Sequence, residues 1–97
     1  MIVRDAFQAR YGKGDELVAL FKEARQQWPL AVRYAFRILT DASGPFFTVV
    51  TETQVDSLAD WEQFQAQVWS LPEFAQWFAR MTALVEGGRR EFYKLEG

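Results

Sequence analysis

The chain has 97 residues and a mass of 11.3 kDa, so we expect one domain over residues 1–97, and its 49% hydrophobic and 16% aromatic content excludes intrinsic disorder. It contains no cysteine and no histidine, which excludes disulfides, thiolate or imidazole catalysis and histidine-bound metal or haem; we predict no metal and no cofactor. The net charge of −2, without any block of like charges, argues against a nucleic-acid partner.

The first third of the chain predicts a strand followed by a helix. Residues 2–11 alternate between an apolar and a more polar side, which is typical of a strand with one buried face. Residues 12–15, Gly-Lys-Gly-Asp, predict a tight turn. Apolar side chains then recur at helical spacing until Pro29 stops the pattern; they are Leu17, Leu20, Phe21, Ala24 and Trp28.

The middle of the chain predicts a hairpin. Residues 31–40 and 45–53 both read as strands, and residues 41–44 supply the turn between them. If Thr40 faces Pro45, the register pairs Ile38 with Phe47, Phe36 with Val49, Arg37 with Thr48, Tyr34 with Thr51 and Arg33 with Glu52. The last pair joins opposite charges, which favours this register.

The last third predicts a second helical region and a final strand. Ser57 and Asp60 have the spacing of an N-terminal capping box, with aspartate in place of the usual glutamate. Pro72 interrupts the helix and suits the first turn of another, so we expect a kinked or two-piece helix that ends at residues 87–88, Gly-Gly. Residues 89–95 alternate again and predict a short strand.

The resulting order β-α-β-β-α-β predicts an α+β, ferredoxin-like domain, in which a four-stranded antiparallel sheet carries both helical regions on one face. The other sheet face mixes apolar and charged residues, which is unusual for a face exposed to water. Its expected members include Ala6, Leu39 and Val50 beside Arg4, Arg37 and Glu52. We therefore expect a second copy of the chain to cover this face in a homodimer.

Several short segments carry a resemblance to a known group of proteins. They are Tyr11-Gly12-Lys13-Gly14, Glu52, Ser57-Leu58-Ala59 with Trp61, and Leu71-Pro72-Glu73-Phe74 with Trp77. With these features the chain resembles the dimeric α+β barrel superfamily, and within it the NIPSNAP-like and antibiotic-biosynthesis-monooxygenase-like proteins. The resemblance implies a homodimer packed through its sheets and a small-molecule cavity, either between helices and sheet or within the barrel. The lack of histidine departs from the haem-degrading and chlorite-dismutase-like relatives but is compatible with cofactor-independent monooxygenases.

The candidate ligand-binding residues are Arg33, Arg37 and Trp61. The two arginines lie two positions apart on one predicted strand face, so their guanidinium groups could bind a carboxylate or phenolate. Alternatively, Arg33 pairs with Glu52 and Arg37 pairs across the dimer. Trp61 belongs to a set of rings that either walls a planar-ligand pocket or fills the core: Trp61, Trp69, Trp77, Phe64, Phe74 and Phe78.

The candidate catalytic residues are Glu52, Tyr34 and Tyr93. A buried Glu52 could transfer protons, although an adjacent arginine would lower its pKa and favour a structural ion pair. Each tyrosine hydroxyl could polarise a substrate or make a structural hydrogen bond. The scattered carboxylates Glu16, Asp60, Glu62 and Glu73 predict no metal site.

Three functions remain open from the sequence. The first is binding of a small aromatic or anionic metabolite in a pocket at the sheet face. The second is cofactor-independent oxygenation of phenol- or quinol-type substrates, and the third is a structural dimer without a ligand, so whether the protein is an enzyme stays open. No apolar run approaches 18 residues and charges interrupt residues 1–10, so we expect a soluble cytoplasmic protein without a membrane partner or signal peptide.

Overall fold

The structure is a computed structural model, and it describes residues 1–28 and 36–97. The predicted α+β, ferredoxin-like fold is confirmed, with the second helical region divided in two. The elements in chain order are β1 (Ile2–Ala9), α1 (Gly14–Gln27), β2 (Phe36–Thr40), β3 (Thr48–Gln54), α2 (Leu58–Trp69), α3 (Phe74–Leu84) and β4 (Val85–Tyr93). The predicted start of β2 at residue 31 lies outside the described residues. Among those residues, no helix is long and apolar enough to cross a membrane.

The four strands form one antiparallel sheet in the order β2-β3-β1-β4. Alternation along β1 sends Val3 and Phe7 toward the helices and Ala6 to the opposite side, which we call the open face. The largest buried cluster joins α1, α3 and the centre of the sheet, and it contains Ala9, Leu17, Leu20, Phe21, Ala24, Val49 and Trp77. Burial of these side chains holds the helices on one face of the sheet.

The second helical region begins with the predicted cap. The Ser57 Oγ accepts a hydrogen bond from the Asp60 main-chain N–H at 3.1 Å. The Asp60 carboxylate accepts in turn from the main-chain N–H of Asp56 at 3.1 Å. In a capping box the donor would be the N–H of Ser57, one residue later. Helix α2 ends at Trp69, and Pro72 lies in the turn before α3, so the prediction of a two-piece helix is confirmed.

The predicted register of the hairpin was wrong. Phe36 faces Thr53 rather than Val49, and Arg37 faces Glu52 rather than Thr48. The connection between the strands is longer than a tight turn, because the carboxylate of Asp41 accepts from the N–H of Thr48 at 2.9 Å and closes a loop over the residues between them. Since the shift from Val49 to Thr53 is even, the side chains of Phe36–Thr40 and of β3 keep their predicted faces.

The predicted end of the last helix was also wrong. Helix α3 ends at Leu84, and Gly87 and Gly88 lie inside β4 instead of terminating the helix. Gly88 faces Phe7 of β1, and a Cβ placed on Gly88 would lie 2.6 Å from the carbonyl oxygen of Ala6. The glycine therefore permits close approach of two strands. In sequence, a glycine pair is compatible with this role as well as with the end of a helix.

The open face has the mixed character that the sequence predicts. Ala6 and Val50 lie on it, each 8% exposed, and Leu39 beside them is 36% exposed. Charged residues surround them in two ion-paired groups, Arg4 and Arg37 with Glu52 and Arg89 with Glu91.

Candidate functional site

A cavity of about 260 Å³ lies between the helices and the sheet. The structure brings to it all six rings that the sequence analysis grouped around Trp61: Trp61, Trp69, Trp77, Phe64, Phe74 and Phe78. Further rings from other elements also line it, namely Phe7, Phe21, Trp28 and Phe36. The wall is therefore predominantly aromatic, as expected for a site that receives a flat apolar molecule.

Ring-to-ring contacts fix the shape of this wall. The centroids of Trp28 and Trp77 lie 4.9 Å apart in an edge-to-face arrangement, and those of Phe74 and Phe78 lie 5.5 Å apart in a stack. The indole N–H of Trp77 donates to the main-chain carbonyl of Leu20 at 3.1 Å, which holds the ring in place. Trp69 is 66% exposed, so the aromatic lining reaches the surface.

Two hydroxyl groups from the sheet enter this aromatic surface. Thr51 and Thr53 are alternate residues of β3, they line the cavity, and they are 8% and 6% exposed. Neither hydroxyl has a hydrogen-bond partner within residues 1–28 and 36–97. Since no side-chain oxygen that is fully buried lacks a partner among the described residues, these two hydroxyls are within reach of solvent, and they can exchange water for a polar atom of a ligand.

An ion pair forms the polar end of the cavity. Asp5 on β1 and Arg90 on β4 face each other across the strands. The Arg90 Nε donates to Asp5 Oδ1 at 2.7 Å, and its Nη2 donates to Oδ2 at 3.0 Å. This two-point contact fixes the plane of the guanidinium group.

The rest of the Arg90 guanidinium group is also engaged. Its central carbon lies 4.8 Å from the ring centre of Trp61, a cation-π contact. With the Gln65 amide oriented so that its oxygen faces Arg90, that oxygen accepts from Nη1 at 2.6 Å and from Nη2 at 3.2 Å. Helix α2 and strand β1 together hold Arg90 in one position.

Five residues that line the cavity were not predicted as site residues: Asp5, Gln65, Thr51, Thr53 and Arg90. One signal was present in β1, where Asp5 falls between Val3 and Phe7 on the apolar side of the strand. A charged residue at such a position needs a buried partner or a polar site.

Three of the four predicted site residues that the structure describes lie elsewhere. Trp61 lines the cavity, but Arg37, Glu52 and Tyr93 lie on the open face, across the sheet from it. Arg37 Nε donates to Glu52 Oε1 at 2.7 Å and Arg4 lies 3.8 Å from Oε2, so Glu52 has arginine partners, as expected of a structural carboxylate. The candidates Arg33 and Tyr34 lie outside the described residues.

Tyr93 and Glu91 form a hydrogen-bonded pair on the open face. The Tyr93 hydroxyl donates to Glu91 Oε2 at 2.7 Å, and Arg89 Nε donates to Glu91 Oε1 at 3.3 Å. Both hydrogen bonds lower the pKa of Glu91 below its ordinary value, and the bond from Tyr93 has the larger effect. The same bond to Glu91 raises the pKa of Tyr93.

Metal-binding side chains do not cluster in the part of the chain that the structure describes. Within it, no group of three or more carboxylates could share one ion. The cavity is lined there by a single carboxylate, Asp5, which is already paired with Arg90.

Comparison with known proteins rests on structure alone. No protein-family model matches the sequence, and a search of curated proteins gives no match. Among solved structures, an uncharacterised NIPSNAP domain protein from Burkholderia xenovorans is 16% identical with a TM-score of 0.82, covering 98% of this chain and 94% of that one. A NIPSNAP family protein from Agrobacterium tumefaciens is 15% identical with a TM-score of 0.85, covering 98% and 85%.

This chain has the NIPSNAP-like fold. An antibiotic-biosynthesis-monooxygenase-like protein from Chloroflexus aurantiacus shares the fold at a lower TM-score of 0.67 and 16% identity, covering 99% of this chain and 94% of that one. The resemblance predicted from the sequence is thus confirmed for the fold. A fold does not specify an activity, which depends on the side chains of the site.

Proposed function

We propose that the chain binds a small aromatic molecule in the cavity between its helices and its sheet. The observation that supports the proposal is the pair of hydroxyls on Thr51 and Thr53, which have no hydrogen-bond partner among the described residues and lie in a predominantly aromatic wall. A flat ring would pack against the tryptophan and phenylalanine side chains, and a hydroxyl or carbonyl on it would bind the threonines. The volume of about 260 Å³ suits a molecule of one or two rings.

The test is a thermal-denaturation screen against one-ring and two-ring aromatic compounds. A ligand at about 100 times its Kd adds about 2.7 kcal/mol to the folded state. That gain raises the Tm of a domain of this size by more than about 10 °C. No stabilisation by any compound would contradict the proposal.

A cavity-filling variant makes the test specific to this site. Val68 lies on α2 and lines the cavity, so Val68→Phe places a ring in the space that the ligand would occupy. We expect it to weaken binding at least about tenfold. Gln63→Phe adds the same ring to the exposed side of α2 and should leave binding unchanged. Equal affinity of wild type and Val68→Phe would place the ligand elsewhere.

We also propose that a second copy of the chain covers the open face. Ala6, Leu39 and Val50 give this face an apolar centre, and the neighbouring arginines already have carboxylate partners that can stay paired in an interface. Native mass spectrometry should report a dimer at micromolar concentration. Val50→Lys should convert it to a monomer, whereas Lys22→Ala on the exposed side of α1 should not. A monomeric wild-type protein would overturn this part of the proposal.

A second candidate activity is cofactor-independent oxygenation of a phenol-type substrate. It is favoured by the aromatic cavity together with the name of the Chloroflexus aurantiacus neighbour. In such a reaction a phenol and O₂ give a quinone and water: one oxygen atom enters the ring, the other leaves as water with two substrate hydrogens, and four electrons pass to O₂. Oxygen uptake with phenols that bind the cavity would support it. Binding without uptake would favour a binding protein, and the absence of both would favour a structural dimer.

A further inference from the structure

The charges on the described residues that line the cavity cancel. Among the described lining residues, Asp5 carries a negative charge and Arg90 a positive one, and they are joined by two hydrogen bonds of 2.7 and 3.0 Å. The remaining described residues of the wall are aromatic, aliphatic or uncharged polar side chains. The described part of the wall therefore presents an ion pair, and not an unpaired charge, to a ligand.

The side chain of Arg90 is 42% exposed, but the hydrogen-bonding edges of its guanidinium group already have partners. Asp5 and Gln65 accept hydrogen bonds along both edges of its guanidinium group, and the indole of Trp61 contacts its face. A ligand carboxylate could make its own two-point contact with Arg90 only by displacing one of these partners. Displacing Asp5 would leave that carboxylate, whose side chain is 15% exposed, without its cation.

Asp5 would also repel an anionic ligand directly. Its carboxylate lines the cavity among side chains of low polarity, where the repulsion between two negative charges is screened less than in water. A ligand anion in the same cavity would lose its hydration shell without gaining a counter-charge. A neutral hydroxyl or carbonyl group avoids both penalties, and the hydroxyls of Thr51 and Thr53 can bind it.

We propose that the cavity selects uncharged aromatic ligands and that Asp5 enforces this selection by neutralising Arg90. This inference rests on the proposed function, since it specifies which aromatic molecules the cavity accepts. It also narrows the alternatives left open by the sequence, in which the ligand is either aromatic or anionic. Asp5 is a specificity-determining residue, and removing its charge should admit anions.

The test compares two probes of the same shape, 4-hydroxybenzamide and 4-hydroxybenzoate, by isothermal titration calorimetry at neutral pH. The wild-type protein should bind the neutral amide at least about tenfold more tightly than the anion. In Asp5→Asn, which keeps a side chain of nearly the same size, Arg90 is no longer neutralised. Its affinity for 4-hydroxybenzoate should rise about tenfold or more, while its affinity for the amide changes less than about threefold.

The matched control is Asp15→Asn, which removes the same charge from the exposed first turn of α1 and should leave both affinities unchanged. Equal binding of the two probes by wild type, or an Asp5→Asn variant that still discriminates against the anion, would overturn the inference and leave the proposed function standing. If neither probe binds either protein, the proposed function fails with it. The wild-type preference is measurable even if Asp5→Asn does not fold.

Discussion

The indole N–H of Trp77 donates a hydrogen bond to the main-chain carbonyl oxygen of Leu20, and the two atoms lie 3.1 Å apart. Trp77 is on α3 and Leu20 is on α1, so the bond joins the two helices through the core. At the protein surface, Arg80 of α3 and Glu23 of α1 form an ion pair of 2.8 Å between the same two helices. Trp77 also lines the cavity, which makes the helix pair part of the site wall.

We predict that Trp77→Phe lowers the free energy of unfolding by about 1–3 kcal/mol, because it removes this hydrogen bond and leaves a gap in the core. Trp69→Phe is the control: Trp69 is 66% exposed, so its substitution should change stability by less than about 0.5 kcal/mol. Urea denaturation of both variants measures the difference. Similar losses in the two variants would mean that Trp77 has no special structural role.

The glycine pair in β4 gives two substitutions of opposite expected effect. Gly88→Ala should destabilise the fold by about 1–3 kcal/mol, since its Cβ would lie 2.6 Å from the Ala6 carbonyl oxygen. Gly87→Ala meets no described atom within 4 Å and should be neutral or stabilising by up to about 1 kcal/mol, because alanine restricts the unfolded chain. Thermal denaturation measures the stability of both variants. A Gly88→Ala protein as stable as wild type would contradict the close contact between the strands.

Glu52 should contribute to stability and not to binding in the cavity. Its side chain is 13% exposed and pairs with Arg37 at 2.7 Å on the open face. Glu52→Gln should lower the free energy of unfolding by about 1 kcal/mol, a modest value because Arg37 is 77% exposed and its charge is screened by water. The affinity for a cavity ligand should not change.

Glu16→Gln, at the exposed pair between Lys13 and Glu16, is the control for Glu52 and should have an effect below about 0.5 kcal/mol. Chemical denaturation and calorimetric titration together separate the two roles. A Glu52→Gln protein of normal stability that no longer binds ligand would restore Glu52 as a site residue.

The Tyr93–Glu91 hydrogen bond should make two pKa values depend on each other. Tyr93→Phe removes the donor that lowers the pKa of Glu91, so that pKa should rise toward its ordinary value in an NMR titration of the carboxyl group. Glu91→Gln should lower the raised pKa of Tyr93, measured from the ultraviolet absorbance of tyrosinate. Glu62→Gln on α2 is the control and should leave the pKa of Tyr93 unchanged.

The sign of the pH effect differs between the two groups. A lowered pKa of Glu91 stabilises the fold above the ordinary glutamate pKa, and this contribution is lost as the pH falls through the lowered value. A raised pKa of Tyr93 stabilises the fold below about pH 10, and this contribution is lost as the pH rises through the raised value. Stability of Tyr93→Phe should therefore depend less on pH at both ends of the range.

Local patterns of the sequence were sufficient for the order of the elements and for the two faces of β1. Alternation placed Val3 and Phe7 toward the helices, and the spacing of Ser57 and Asp60 located the start of α2, because both signals depend on backbone geometry over a few residues. The grouping of rings around Trp61 identified side chains that the structure brings to the cavity. Helical spacing alone could not distinguish a lined cavity from a filled core.

The tertiary structure decided what depends on contacts between distant residues. The hairpin register followed from the loop closed by Asp41, and the role of Gly88 followed from the approach of Ala6 on another strand. The pairing of Asp5 with Arg90 joins residues at opposite ends of the chain. Sequence by itself determined the two faces of β1, on which Val3 and Phe7 share the apolar side. Only packing of β1 against β4 and α2 decided that Asp5 neutralises Arg90, since the pairing of charges depends on distances in space.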